Sequence, residues 1–104
     1  MKISFFDSRV GKFIEELDKS TRGKIPQFID LLRDYGHEIG PPFSTKIANN
    51  IFELRISGKV AVRLFYTFYR DEAIILHGFI KKTQKTPRRE LETAQRKLDL
   101  LHRI

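Results

Sequence analysis

The chain has 104 residues and a mass of 12.3 kDa, room for a single domain spanning residues 1–104 and none for a second. It has no cysteine, which excludes disulfides, thiolate metal sites and a cysteine nucleophile; its three histidines, His37, His77 and His102, stand too far apart for a local metal motif, so no cofactor is expected. Lysine and arginine outnumber the acids 20 to 13, giving a net charge of +7 and a pI near 9.9, and the excess is uneven: residues 1–76 carry 12 basic and 10 acidic groups, residues 77–104 carry 8 and 3.

Clustered cations release condensed counterions when they meet phosphates, so this distribution favours a polyanionic partner such as nucleic acid. The same charge in its plainest role serves solubility. Apolar runs are too short for a membrane-spanning helix, and the opening MKISFFDSRV lacks the apolar stretch of a signal peptide. No membrane partner and a cytoplasmic location are therefore expected.

In chain order, Met1 to Phe6 reads as a short strand, after which Asp7 or Ser8 offers a helix N-cap. Val10, Phe13, Ile14 and Leu17 then follow at the spacing of one helix face, with Lys12, Glu15, Glu16 and Lys19 opposite. Ile25, Phe28, Ile29, Leu32 and Tyr35 repeat that pattern up to a C-capping Gly36, with a joint at Ser20–Gly23. Pro26 fits this second helix in its first turn and not beyond it. The two helices should form an antiparallel hairpin. GHEIGPP, residues 36–42, reads as a loop. The period then changes to two: Ile51–Ser57, Lys59–Phe68 and Ala73–Lys82 read as three antiparallel strands, broken at Ser57-Gly58-Lys59 and Arg70-Asp71. Thr86-Pro87 opens a last helix, lined on one side by Leu91, Ala94, Leu98 and Leu101. The order β-α-α-β-β-β-α indicates an α+β domain, a helical hairpin packed on an antiparallel sheet with a C-terminal helix.

Alternation sorts the side chains before any role is asked of them. A two-residue turn at Arg70-Asp71 pairs Val62 with Phe79, Leu64 with His77 and Tyr66 with Ile75 on an apolar face that also takes Phe52, Leu54 and Ile56, the bed for the helical hairpin. The opposite face then carries Glu53, Arg55, Arg63, Phe65, Thr67, Ile74, Leu76, Gly78, Ile80 and Lys82, with Arg63 opposite Gly78 and, given an odd-length glycine loop, paired with Glu53. Each feature has a plain alternative. A Glu53–Arg63 pair serves equally as a surface ion pair worth well under about 1 kcal/mol, His77 as a hydrogen-bonded core histidine, and Gly78 as the mark of a bulge.

The strongest local feature is residues 81–89, five cations (Lys81, Lys82, Lys85, Arg88, Arg89) and no acid, running from a strand into a helix start. Helix starts attract acids, because the macrodipole is positive there. Cations at that place make sense where an external phosphate is drawn to the free N–H groups. RNA is cut without metal when its 2′-hydroxyl attacks the adjacent phosphorus, provided in-line geometry is held and the pentacoordinate charge is stabilised. Arginine suits the second task, a lysine among cations suits proton transfer, and Glu53 is the only carboxylate on the proposed face, hence a candidate base. Phosphate binding alone would need the same residues.

The succession IFELRI, a short glycine turn, VAVRLFYTF and IILHGFIKKTQKTPRRELETA closely resembles the RelE/HigB-like toxins of bacterial toxin–antitoxin modules, in the branch also found in phages. That resemblance implies a RelE-like fold and a metal-independent mRNA endoribonuclease acting on message at the ribosome. It also implies a cognate helix-turn-helix antitoxin that holds the toxin inactive, with a higher-order toxin–antitoxin complex on operator DNA. By position it assigns the catalytic surface to Arg55, Arg63 and Lys82, with Glu53 where such toxins typically carry a lysine; Lys81, Lys85, Arg88 and Arg89 would bind RNA. The chain also lacks the family's C-terminal tyrosine, so phosphate-binding roles carry over more directly than proton-transfer ones. Two rivals remain, a ParE-like gyrase inhibitor on the same fold and a non-catalytic RNA-binding module.

Overall fold

A computed structural model describes residues 1–103. β1 (Lys2–Phe5) leads into α1 (Ser8–Glu15), where the Asp7 carboxylate caps the helix by accepting from the N–H groups of Arg9 and Val10 at 3.1 and 3.3 Å. α2 (Lys19–Tyr35) begins earlier than the apolar period indicates, because Asp18 caps it from the Thr21 N–H at 3.0 Å and Thr21 itself is buried. Pro26 consequently lies inside the helix, on its exposed side, and the Arg22 carbonyl loses its usual helical donor there.

A 3₁₀ turn (Gly36–Glu38) leads to β2 (Ser44–Ala48), β3 (Ile51–Ser57), β4 (Ala61–Tyr69), β5 (Glu72–Ile80) and α3 (Arg88–His102). β2 is absent from the sequence reading: an edge strand with the composition STKIA has too few apolar residues to announce a period. The sheet runs β1-β5-β4-β3-β2, antiparallel except that β1 joins β5 in parallel, from Lys2↔Glu72 to Phe5↔Ile75. The α+β architecture is the expected one, compatible with a RelE-like fold, with two strand pairings that local patterning did not supply.

Two cores flank the sheet. On one face Val10, Leu17, Ile25 and Leu32 of the helical hairpin pack on Leu54, Ile56, Val62, Leu64, Tyr66 and Ile75. On the other, Ala94, Leu98 and Leu101 of α3 pack on Phe65, Ile74, Leu76 and Phe79. The apolar residues of the face opposite the hairpin are thus covered by α3.

Two details of register set the site. The Arg70-Asp71 turn is a two-residue hairpin with both residues at positive φ, 49° and 62°, and its expected pairing holds from Tyr69↔Glu72 to Tyr66↔Ile75. Beyond that a bulge at Leu76 inserts one residue into β5, and the next partners are Phe65↔His77, Leu64↔Gly78, Arg63↔Phe79 and Val62↔Ile80. The bulge exchanges the faces of everything after it, which corrects the assignment made from strict alternation. His77 and Phe79 move to the α3 side, whereas Gly78 and Ile80 move to the hairpin side. Gly78 is therefore not an open floor beside Arg63. Its missing side chain lets Phe13 of α1 lie against the strand, and a Cβ there would stand 2.7 Å from the Phe13 ring and 2.9 Å from Leu64.

Candidate active site

The β3–β4 loop is Gly58-Lys59-Val60, closed by the Gly58 N–H donating to the Val60 carbonyl at 3.2 Å. Its odd length keeps Glu53, Arg55 and Arg63 on one face, as expected, but shifted by one pair from the expected register: Arg55 stands opposite Arg63, and Glu53 opposite Phe65. Two guanidinium groups on adjacent strands repel one another, and the diagonal Glu53 offsets that by lying between them. One of its carboxylate oxygens is 3.4 Å from Nε of Arg63 and 3.7 Å from Nε of Arg55.

Burial separates the three. Glu53 is 5% exposed and Arg63 7%, whereas the Arg55 side chain is 45% exposed. Arg63 donates to the Val62 carbonyl at 3.0 Å through one terminal nitrogen, while its buried Nε makes no hydrogen bond, so its contact with Glu53 is charge attraction without hydrogen-bond alignment. Burial lowers the Arg63 pKa from its ordinary value, Glu53 counters that, and Arg55 adds to it. The group is a fixed guanidinium, most of whose freedom is already spent.

The strand ladder carries the lysines to the same place. Past the end of β5 the Lys81 N–H donates to the Ala61 carbonyl at 2.8 Å, drawing residues 81–84 alongside the start of β4. The result is a cleft of about 460 Å³ lined by Arg55, Ala61, Arg63, Lys81, Lys82, Thr83 and Gln84. Among the described residues four cations line it and no carboxylate does; Glu53 sits behind the two arginines, out of the lining.

Of the sequence-derived residues, then, Arg55, Arg63, Lys81 and Lys82 converge, and Glu53 supports them from beneath. Arg89 lines an adjoining hollow together with Lys82. Lys85 and Arg88 line neither: the backbone carbonyl of Lys85 accepts from the Thr83 hydroxyl at 2.7 Å, and Arg88 is almost wholly exposed and pairs with Glu92 one turn on. α3 begins at Pro87 without a side-chain cap, so Thr86 does not serve as the N-cap expected of it. His77 Nε2 lies 2.8 Å from a Glu90 carboxylate oxygen, bridging β5 to α3. This is the hydrogen-bonded histidine foreseen as its plain reading, on the other face.

Sequence reading passed over Lys97, Arg9 and Arg96, and gave Asp7 a capping role alone. The signal was present in Lys97, a lysine set within the apolar stripe Ala94, Leu98, Leu101: it is 5% exposed and its ammonium is 3.1 Å from the Asp7 carboxylate. A buried lysine requires such a partner. Among the described residues no three His, Asp or Glu side chains gather closely enough to hold a metal, and no helix is long and apolar enough to cross a membrane.

The profile of the family described as phage derived protein Gp49-like (DUF891) matches residues 12–99, and the chain belongs to that family. The match takes in both helices of the hairpin from Lys12 on, all four antiparallel strands and most of α3. No curated protein matches the chain.

Proposed function

We propose that this member of the Gp49-like phage-derived family is the toxin of a toxin–antitoxin pair, a metal-independent endoribonuclease that cuts message at the ribosome. The observation that carries the reading is the convergence of Arg55, Arg63, Lys81 and Lys82 on one cleft free of carboxylates.

Such a cleft can bind a phosphodiester and stabilise the charge it gains during attack by the neighbouring 2′-hydroxyl. Arg63 is the fixed element: held by β4, Val62 and Glu53, it loses little freedom on meeting a phosphate. Arg55, half in solvent, closes on the phosphate from the opposite strand. Lys81 and Lys82 are the proton-transfer groups of the cleft, one amine taking the proton of the attacking 2′-hydroxyl and the other giving one to the departing 5′-oxygen. Glu53 does not line the cleft, so it acts as a positioning residue for both guanidinium groups and not as the base. A helix-turn-helix antitoxin, and its complex with the toxin on operator DNA, belong to the same reading through the resemblance of HGFIKKTQKTP to RelE/HigB-like toxins.

The test is growth and primer extension in cells expressing the chain. The wild type should arrest growth and leave discrete cuts within codons, whereas Arg63→Ala should lose about 10²–10³ in cleavage, the usual loss when a preorganised charge-stabilising group is removed. Arrest with DNA damage and uncut message would favour a ParE-like gyrase inhibitor; salt-sensitive RNA binding without arrest would leave only a binding module.

A further inference from the structure

β1 pairs with β5 only as far as Ile75, and the chain then leaves the sheet after Phe6, whose N–H donates to the Ile75 carbonyl at 2.9 Å. From His77 to Ile80 the outer edge of β5 has no strand beside it among the described residues. α1 stands on one side of that open edge and α3 on the other. Two hollows follow it. One, of about 450 Å³, lies between Phe13, Phe79 and Pro87 with Lys82 and Arg89 at its rim; the next, of about 360 Å³, is lined by Arg9, Phe13, His77, Thr93, Arg96 and Lys97. They share Phe13 and Gly78, and the first shares Lys82 and Thr83 with the cationic cleft. The three hollows adjoin through these shared residues and form a run along the edge, a groove in three parts.

Its two ends are cationic, with Arg55, Arg63, Lys81 and Lys82 at one and Arg9, Arg96 and Lys97 at the other. Arg9 and Arg96 form no ion pair among the described residues, while Lys97 is held by Asp7. Among the described residues the one carboxylate lining either hollow, Glu90, is already bonded to His77 and lies 4.0 Å from Arg89. Between the two cationic ends lies an aromatic floor, the Phe13 ring that the absent side chain of Gly78 admits. Cations at both ends with a half-buried ring between them is what a single nucleic-acid strand needs: phosphates track the charges and a base stacks on the open part of the ring without sequence preference. An extended neutral peptide on the strand edge would leave the cations of both walls unused.

We propose that this groove carries the RNA strand away from the cleavage cleft, with Arg9 and Arg96 holding a phosphate at its far end and Phe13 stacking a base between. The assignment rests on the nuclease reading given above and extends its substrate contact from one linkage to a run of single-stranded RNA. β5 advances about 3.3 Å per residue, so the four or five positions from Lys81–Lys82 back to His77 span roughly 13–17 Å.

Fluorescence anisotropy with 2′-O-methyl oligoribonucleotides, which bind but cannot be cut by 2′-hydroxyl attack, tests the extension. An Arg9→Ala/Arg96→Ala double variant should bind a labelled octanucleotide about tenfold more weakly than wild type, and the slope of log affinity against log salt should fall by about 1.4, the loss of two phosphate contacts on a single strand. Arg63→Ala should weaken a dinucleotide and the octanucleotide alike. Octanucleotide affinity equal to wild type in the double variant, with Arg63→Ala still weakening both ligands, would overturn the groove while leaving the nuclease standing. Failure of the wild type to bind either ligand would overturn both, and polyglutamate of matched charge competing as well as RNA would overturn the assignment of the groove to RNA.

Discussion

The two faces of the sheet are made by alternate residues of the same strands and are finished differently. Under α1 and α2, the face of Leu54, Ile56, Val62, Leu64, Tyr66 and Ile75 is closed by helical side chains from end to end. Under α3, closure stops part way: the helix covers Phe65, Ile74, Leu76 and Phe79, and Glu53, Arg55 and Arg63 lie beyond its reach. Neighbours on β4 thus part ways, Leu64 sealed in the core and Arg63 bordering the cationic cleft. The difference teaches why Arg63 is suited to its place. It is surrounded like a core residue, so its position is fixed, yet its guanidinium borders an open cleft. The cations at Lys85 and Arg88 sit outside that frame and are held by nothing comparable.

The contrast is most exposed to Glu53→Gln, which keeps the shape and removes the charge between two facing arginines. Breaking a buried pair in this way should cost about 3 kcal/mol, read as a lower denaturant midpoint, together with a fall in cleavage. An unchanged midpoint would mean that the charged half of the α3 side needs no internal partner. Gly78→Ala probes the closed face: a methyl 2.7 Å from Phe13 and 2.9 Å from Leu64 forces repacking, with an expected loss of about 1–3 kcal/mol by thermal melting.

Asp7 joins the two sides, capping α1 while pairing with Lys97 of α3. Burial pulls its carboxyl pKa upward, but the hydrogen bond and charge of Lys97 and the N–H groups of Val10 and Arg9 outweigh that and lower it. A pKa lower in the folded than in the unfolded chain stabilises above the unfolded value, about 3.9, and that contribution is lost as pH falls through the folded value. Stability should therefore drop below about pH 4 in the wild type, and Asp7→Asn, which keeps the capping oxygen and removes the charge opposite Lys97, should flatten that drop and lower stability at pH 7 by about 1 kcal/mol, the usual net worth of a hydrogen bond. A melting series across pH would reveal an unchanged acid limb if the pair were idle. The smallest effect belongs to Arg88→Ala. With an exposed side chain paired only to Glu92, its loss should change stability by less than about 0.5 kcal/mol, and cleavage by primer extension should stay within twofold of wild type.

Legibility in the sequence followed the range of the interaction. The period of Val10, Phe13, Ile14 and Leu17, the three β-rich runs and the stripe on α3 report contacts that repeat every few residues, and their elements stand where the spacing puts them, within a few residues at the ends. Of the site, the identity of Arg55, Arg63, Lys81 and Lys82 could be read, as could the odd loop that holds Glu53 with the arginines. The pairing of Arg55 with Arg63 could not, because Gly58-Lys59-Val60 and Ser57-Gly58-Lys59 are equally good three-residue loops and differ by one pair in register.

By itself the sequence determined the class of the fold, the basic character of its last quarter and which side chains could meet a phosphate, since these depend on composition and on neighbours along the chain. Tertiary structure alone decided which face each side chain takes after Leu76, where a single inserted residue reverses the alternation that any local reading must assume. It also decided the parallel seat of β1 and the placing of Arg9 and Arg96 on one hollow at the open edge of β5, because these bring together segments whose separation along the chain leaves no period to read.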